Sequence, residues 1–317
     1  MSFNLKTVTD FCTNIWIKQK FPPTKVIGHI QDWHVHSTTG MSLPRFQLSS
    51  GTWHNSSDKQ KFLYNNIYTG MYTDLKNLKE QEHAEIIMAV NGDVMDGDHH
   101  ETSEIISRVQ FDMVNHAHGL LKPIFDLSTW AFFVYGTPAH SGKDGFLEEA
   151  LATKFRDSEK HAKTKKLIWH TEGDSDGEGA VNGHYMFSAV INGKRVNFSH
   201  FGQIGRNTWT RMNPLRKIAR EIVEDCRIRG IEQPNLVYRA HAHGYGDTGD
   251  EFADFDMRVI SLPPGQLPTS YGSTFISTTR TIIPGYTITV IYPDGKVDAR
   301  TKLFDYQKMN PTKLMEL

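Results

Sequence analysis

Five segments with the apolar pattern of buried β-strands are each followed directly by aspartate or histidine. In an open α/β sheet, the side chains beyond the carboxyl ends of the strands gather at one edge, where ligands bind. This feature constrains the fold most, because the strands must lie side by side to bring these polar groups together. The five polar segments are Asp32 to His34, Asn91 to Asp93, Gly136 to His140, Ser199 to Gly202 and Ala240 to Gly244.

Helical patterns separate the first three of these strands, which predicts an α/β sheet covered on both faces. Apolar residues at helical spacing predict helices over residues 57–81, 102–121 and 146–155. Later strands, joined at hairpin signals such as Asn192-Gly193, predict a second and more antiparallel sheet. No linker interrupts the pattern. We therefore expect a single domain over residues 1–317, in which the strand-rich part at 255–300 completes the second sheet.

Composition excludes several classes of protein. The 35 basic and 36 acidic residues give a net charge of -1, which argues against a protein that coats nucleic acid but not against a local basic groove. With only two cysteines, we expect neither a disulfide framework nor a cysteine-based zinc site. We find no signal peptide and no run of about 18 apolar residues, so a cytoplasmic location without membrane contact is expected.

The spacing within two of the polar segments favours metal binding. Asp32 and His34 are two residues apart, as are His241 and His243, and residues two apart in extended backbone point to the same side. Aspartate and histidine without cysteine suit manganese best among the candidates, with iron, zinc or nickel as alternatives. There are more such groups than one ion needs, which favours two divalent ions about 3.5–4 Å apart with a shared carboxylate.

In order and type, these segments resemble the motifs of the calcineurin-like metallophosphoesterase superfamily. The family motifs run Asp-x-His, Gly-Asp, Gly-Asn-His, a lone His and Gly-His-x-His. Their counterparts here are DWH, GD, GTPAH, SH and AHAH, within about residues 25–245. The resemblance implies a four-layer α/β/β/α sandwich with two mixed sheets. It also implies a hydrolase of phosphate esters, with a dinuclear metal centre and a metal-bound hydroxide as the nucleophile.

The resemblance further assigns a role to each matching residue. One set of side chains would bind the first ion, a second set would bind the other, and one carboxylate would bridge the two. These residues are Asp32, His34 and His243 for the first ion, His200 and His241 for the second, and Asp93 between them. Asp93 and His140 are the expected catalytic residues, since His140 would contact the phosphate and protonate the leaving group.

Two of the motifs depart from the family pattern. Thr137 stands where the family has an asparagine ligand, and two residues separate it from His140. Thr137 could be a poor ligand, His140 could itself bind the second metal, or that metal could be weakly held. In the fifth motif, Ala240 replaces the usual glycine.

A phosphodiester, nucleotide or nucleic-acid substrate is favoured, and hydrolysis of phosphate monoesters remains the alternative. Arginine-bearing motifs of the family's Ser/Thr protein phosphatases are not found, which argues against that branch. Arg206 could meet a substrate phosphate, since guanidinium pairs well with phosphate oxygens, or it could be a surface residue. The alternative function is a non-catalytic or single-metal binding module that keeps the fold. The sequence does not indicate the oligomeric state.

Several other polar residues near the motifs are expected to have structural roles. We expect capping or turn roles for the polar residues after the second motif, which are Asp96, Asp98, His99 and His100. We expect His36 and His54 to support the ligands from behind or to lie at the surface, and His116 and His118 to face solvent or pack within their helix. Trp33 and Cys226 are expected to pack in the core.

Overall fold

The computed structural model describes residues 23–97, 102–142, 145–158, 166–167, 185–205, 207, 210–249, 256–270 and 282–309. Arg206 lies outside these ranges, as do Asp98, His99 and His100 and residues 271–281 of the strand-rich part. Among the described helices, none combines the length and the apolar character that crossing a membrane would require.

The strands are numbered in chain order. They are β1 (Lys25–Ile30), β2 (Arg45–Gln47), β3 (Trp53–Asn55), β4 (Glu85–Asn91), β5 (Trp130–Val134), β6 (Lys166–Leu167), β7 (Met186–Ile191), β8 (Lys194–Ser199), β9 (Leu236–Arg239), β10 (Gly246–Asp247), β11 (Arg258–Ser261), β12 (Gly285–Ile291) and β13 (Val297–Leu303). The helices are α1 (Asp58–Leu63), α2 (Thr69–Gln81), α3 (Gln110–Phe125), α4 (Pro138–Ser141), α5 (Phe146–Ser158), α6 (Asn213–Arg229) and α7 (Tyr306–Met309).

The predicted helix at 57–81 is confirmed, and its start is fixed by a capping box. The Ser57 side chain accepts a hydrogen bond from the Gln60 backbone, and the Gln60 side chain accepts one from the Ser57 backbone. A single π-helical turn at Tyr64–Tyr68 joins α1 to α2. The predicted helix at 102–121 begins later, at Gln110, because residues 104–106 run beside the loop after β1. There, Thr38 donates to Glu104 and Ile106 donates to His36 through their backbones.

Two mixed sheets carry the candidate motifs. The first has six strands in the order β13-β12-β1-β4-β5-β6, with β1, β4, β5 and β6 parallel and the β12–β13 hairpin antiparallel. The second has five strands in the order β10-β11-β9-β8-β7, with β8, β9 and β11 parallel. The parallel strands of each sheet bring their carboxyl ends to one edge, where the motif residues follow.

Three buried clusters define four layers. One cluster joins the helices α1, α2, α3 and α5 to the outer face of the first sheet, through residues such as Leu75 and Leu120. A second fills the space between the sheets, where Phe132 packs against Phe198 at a ring-centroid distance of 4.7 Å. The third packs α6 on the second sheet, with Leu215 among its members. The expected α/β/β/α sandwich with two mixed sheets is therefore confirmed.

The expectation that residues 255–300 complete the second sheet is wrong for residues 285–291 and 297–300. Of the strands described in that segment, only β11 joins the second sheet, whereas the β12–β13 hairpin extends the first sheet beside β1. All seven residues of β12 are buried, and the strand forms backbone hydrogen bonds along the edge of β1 that β4 leaves unpaired. An apolar strand pattern shows burial on both faces but does not show which neighbour provides it. The single domain over residues 1–317 stays a prediction.

Candidate metal centre

The polar segments that follow β1, β4, β5, β8 and β9 converge at one edge of the sandwich. Three overlapping groups of side chains each offer ligand atoms that all lie within 4.8 Å of one another. They are Asp32, His34 and His243; His34, Asp93 and His140; and Asp93, His200 and His241. The first and third groups contain the two ligand sets that the resemblance implies, and Asp93 belongs to two of the three groups.

The first group is tightly packed. Nε2 of His34 lies 3.3 Å from Nε2 of His243, and that nitrogen lies 3.5 Å from Oδ1 of Asp32. Asp32 and His34 are buried, and His243 is partly exposed. The two imidazole nitrogens therefore face each other across a space that a carboxylate oxygen also borders.

The third group is centred on His200. Its Nε2 lies 2.9 Å from Oδ2 of Asp93 and 3.9 Å from Oδ1 of Asp32, so it faces both carboxylates. His241 is exposed at the rim of this group, and its backbone N–H donates to Oδ2 of Asp32 at 3.0 Å. Asp32 thus links the two groups through its two oxygens.

The backbone of the centre is held in a conformation that non-glycine residues rarely adopt. Five of the candidate ligands have positive φ values between 43° and 65°: Asp32, His34, Asp93, His241 and His243. Each such residue costs of the order of 1–3 kcal/mol and persists only where the surrounding structure imposes it. Concentrated in one cluster, these positive φ values indicate a candidate functional site at this edge.

Two glycines allow the close approach of these segments. A Cβ atom on Gly136 would lie 2.1 Å from Oδ1 of Asp93, and one on Gly92 would lie 2.5 Å from Nδ1 of His200. Gly92 also has a φ of +81°. Neither position tolerates a larger side chain without moving a candidate ligand.

We expect Gly136→Ala to destabilise the fold by about 1–3 kcal/mol and to weaken metal binding, because the added methyl group displaces Asp93. Thermal unfolding and metal titration would measure the two effects. The matched control is Gly119→Ala in α3, where the new Cβ would meet only Leu43 at 3.5 Å and helix propensity improves. Equal behaviour of the two variants would contradict the close packing described here.

The donor set fits divalent cations. Oδ1 of Asp32 is buried and lacks a hydrogen-bond partner among the described residues, and Nε2 of His200 faces it at 3.9 Å. Buried polar atoms without partners are costly, so atoms aimed into a common space indicate a missing partner. Oxygen and nitrogen donors without sulfur suit manganese, iron, zinc or nickel.

Hydrogen bonds behind the ligands orient the imidazole rings. Nδ1 of His200 donates to the Asn91 carbonyl at 2.8 Å, which leaves Nε2 directed at the carboxylates. Nδ1 of His34 lies 3.5 Å from Oδ1 of Asp96, so its Nε2 faces His243. Such outer contacts fix the ring tautomer of metal-binding histidines.

The charges of the cluster shift its pKa values strongly. Burial alone would raise the pKa of Asp93, but His200 outweighs burial and holds that pKa well below its usual range. Burial alone would lower the pKa of His200, but Asp93 and Asp32 raise it to about 9. Without a cation, the two carboxylates thus retain a proton on His200.

Thr137 and His140 occupy different positions around Asp93. The backbone N–H of Thr137 donates to Oδ1 of Asp93 at 2.7 Å, and its hydroxyl lies 3.1 Å from both carboxylate oxygens. Nδ1 of His140 donates to Oδ1 of Asp96 at 2.7 Å, and the His140 ring lies edge-on to His34 at 4.4 Å. Thr137 therefore holds the central carboxylate, while His140 lies among His34, Asp93 and Asp96. The metal-ligand role of Thr137 stays a prediction.

Asp96 has a more specific place than a capping residue. Its carboxylate is buried and lies behind both His34 and His140. The sequence predicted a structural role for Asp96. Its position three residues after Asp93, within GDVMD, was the one sequence feature that could have indicated a place beside the centre. Glu148 was missed entirely: it is buried in α5 and accepts a hydrogen bond from the Ser141 hydroxyl at 2.6 Å.

The remaining histidines lie outside the three groups. His116 is buried rather than solvent-facing, and its ring stacks on Phe46 at 4.4 Å. Its Nδ1 lies 3.3 Å from Nδ1 of His36, which is also buried. His54 contacts Gln60 at 3.1 Å. The expected packing roles of Trp33 and Cys226 are confirmed, because both side chains are buried.

The four layers, the order of the motifs and their convergence at one edge together test the family resemblance. The four-layer fold that the resemblance implies is confirmed, and the described motif residues converge at one edge of it. We name the cluster the metallophosphoesterase-like centre after that resemblance, from which it departs at Thr137 and at Ala240.

Among solved structures, the chain is similar to vacuolar protein sorting 29 of Cryptosporidium parvum, with 10% identity, a TM-score of 0.37 and coverage of 89% of this chain and 99% of that chain. Vps29 of Entamoeba histolytica, solved in complex with Zn²⁺, gives 11% identity, a TM-score of 0.31 and coverage of 88% and 99%. A predicted phosphoesterase from Streptococcus pneumoniae gives 8% identity, a TM-score of 0.27 and coverage of 89% and 99%. No protein-family model and no curated protein matches the chain.

Proposed function

We propose that this chain hydrolyses phosphate esters at the metallophosphoesterase-like centre with two divalent cations, manganese first among the candidates. One observation carries the proposal: two ligand groups, each with an aspartate and at least one imidazole nitrogen, lie side by side and share a carboxylate-lined space. Asp32, His34 and His243 would hold one cation, and Asp93, His200 and His241 would hold the other. Asp93 also lies close enough to His34 to be shared between the two.

When bound, the two cations would neutralise phosphate oxygens and lower the pKa of a coordinated water, so that no serine or cysteine nucleophile is needed. The protein's own residues hold the candidate ligands in position. Thr137 fixes Asp93 through its backbone N–H and its hydroxyl, and Asn91 fixes the ring of His200. Positioning of this kind removes part of the entropic barrier to attack in line with the leaving group.

His140 is the candidate proton donor to the leaving oxygen. Its ring is 23% exposed, so a substrate can reach it, and Nδ1 donates to the buried Asp96. Burial alone would lower the pKa of His140, but the hydrogen bond to Asp96 and the charges of Asp93 and Asp96 raise it. A histidine with a raised pKa keeps its proton to higher pH and can protonate a leaving group, which is worth about 10²–10⁴ in rate.

The substrate that we favour is a phosphodiester, including nucleotides and nucleic acids. The absence of the phosphatase-type arginine motifs from the sequence supports this choice. Arg206, the predicted phosphate contact, lies outside the described residues and is retained only as a sequence-based candidate.

The test is a metal analysis combined with two chromogenic esters. We expect two ions per chain and Mn²⁺-dependent turnover that is faster on bis-p-nitrophenyl phosphate than on p-nitrophenyl phosphate. The control variant is His83→Ala, which removes an exposed histidine that no group of candidate ligands includes. Chains that bind no metal, or that bind metal and turn over neither ester, would contradict the proposal. A single ion without turnover would favour the binding-module alternative.

A further inference from the structure

A row of aromatic rings borders the metallophosphoesterase-like centre on the side of His200 and His241. We call the row, formed by Phe201, Tyr185 and Tyr135, the aromatic shelf. The Phe201 ring lies 5.6 Å from the His200 ring and 5.9 Å from the His241 ring, measured between centroids. The shelf continues from Phe201 to Tyr185 at 6.2 Å, and from Tyr185 to Tyr135 at 5.4 Å.

The fold places these rings together through strand pairing. Phe201 directly follows His200 at the end of β8, and Tyr185 directly precedes β7. Because Met186 pairs with Ser199 in the antiparallel β7–β8 ladder, Tyr185 and Phe201 lie on neighbouring strand ends. Tyr135 follows β5 and is anchored by a hydrogen bond from its hydroxyl to Glu149. The shelf is therefore built on strands of both sheets.

Two neighbouring members of the shelf are exposed, and the third is buried. Tyr135 is buried, whereas Phe201 is 43% exposed and Tyr185 is 50% exposed. A single exposed aromatic residue needs no explanation. Two that lie within ring contact of each other, beside a cluster of imidazoles and carboxylates, form an amphipathic surface of the kind that binds small ligands.

We propose that the aromatic shelf stacks the base of a nucleotide whose phosphate lies at the metal centre. This inference rests on the proposed function and narrows its substrate class to diesters that carry a nucleobase. The geometry suits such a ligand, because the sugar of a nucleotide separates the phosphate from the base and the shelf begins one ring contact from the candidate ligands. The Phe201 and Tyr185 planes differ by 35°, so the two rings offer adjoining surfaces rather than one closed sandwich.

Stacking of this kind depends little on which base is present, since every base has a π-face. It contributes about tenfold in affinity for each base stacked on an aromatic side chain. The shelf thus predicts recognition of nucleotides with weak preference among bases. It does not predict recognition of a particular sequence.

The test compares two diesters with the same leaving group: thymidine 5′-(4-nitrophenyl phosphate) and methyl 4-nitrophenyl phosphate. We expect the KM of the thymidine ester to be about tenfold lower in the unaltered chain. Phe201→Ala and Tyr185→Ala should each reduce this ratio several-fold, while Phe201→Trp should restore it. Val190→Ala is the matched control, since Val190 is a 67% exposed apolar residue on the same β7 strand. Equal KM values for the two esters in the unaltered chain would overturn the inference.

A binding measurement tests base stacking on the shelf independently of ester hydrolysis. With Mn²⁺ present, the affinity for thymidine 5′-monophosphate should exceed that for 2-deoxyribose 5-phosphate about tenfold, and Phe201→Ala should remove the difference. If the two ligands differ in affinity but no ester is hydrolysed in a metal-dependent way, the proposed function is refuted and base stacking on the shelf is supported. If both esters are hydrolysed but the two ligands bind with equal affinity, base stacking on the shelf is refuted and the proposed function is not. A rise in KM for both esters on Phe201→Ala would assign the shelf to the aryl leaving group and overturn base recognition.

Discussion

Asp93→Asn should lower kcat/KM for metal-dependent ester hydrolysis by at least about 100-fold and reduce metal occupancy at the same time. The asparagine side chain keeps the size of the carboxylate but removes its negative charge. The group of Asp93, His200 and His241 then loses its only carboxylate, and the overlapping group of His34, Asp93 and His140 loses the same one. The measurements are steady-state kinetics on bis-p-nitrophenyl phosphate and metal content per chain after dialysis.

The control for this variant is Asp225→Asn, which makes the same chemical change on the exposed surface of α6. It should retain the turnover and metal content of the unaltered chain, since exposed ion pairs contribute little to stability. Circular dichroism should show both variants folded. Wild-type turnover of Asp93→Asn with full metal content would remove the basis for a shared centre.

Glu148→Gln should remove a large pH-dependent component of stability from the metal-free protein. Glu148 is fully buried in α5, and its Oε2 has no hydrogen-bond partner among the described residues. Burial raises the pKa of Glu148 to about 7 from its ordinary value of 4.5, and the hydrogen bond from Ser141 only partly opposes this effect. The native state therefore favours the protonated carboxyl group.

The direction of the effect follows from proton binding. Between pH 4.5 and pH 7 the native state binds this proton and the unfolded state releases it, so stability falls as the pH rises through that window. The full contribution is about 3 kcal/mol, present below the unfolded pKa and lost above the folded pKa.

Urea unfolding in the presence of a chelator, at several pH values from 4.5 to 8, would measure the difference between the unaltered chain and Glu148→Gln. We expect that difference to change by about 3 kcal/mol across the window. Glu80→Gln is the matched control, because Glu80 is 61% exposed on α2 and should produce no such change. A constant difference for Glu148→Gln would show that this carboxyl group titrates at the same pH in the folded and unfolded states.

The ligand positions were predictable because each candidate residue follows a strand whose burial is visible in the sequence. Asp32 follows KVIGHI and Asp93 follows EIIMAVN, and both strands are almost entirely buried. Parallel strands bring their carboxyl ends to one edge, so local patterns were sufficient to predict convergence.

Features that depend on distant contacts were not predictable in the same way. The strand pattern of β12 gave its burial but not its position beside β1, since either sheet could supply apolar neighbours. The contact of Asp96 with both His34 and His140 depends on side-chain directions set by the positive φ values of the surrounding loops. Glu148 is buried because α5 packs against the segment that follows the third motif, where Ser141 donates to it. The helical spacing of apolar residues in the sequence does not indicate this burial.

The pairing of β1 with β12 has a consequence for how the protein is made. The side chains of His29 and Thr289 meet across this pair although 260 residues separate them in sequence. During synthesis, β1 and the Asp32–His34 segment at its end must wait for the β12–β13 hairpin before their sheet is complete. Because contacts of such long range slow folding and leave strand edges exposed to aggregation, nascent chains interrupted before residue 285 should need chaperone protection.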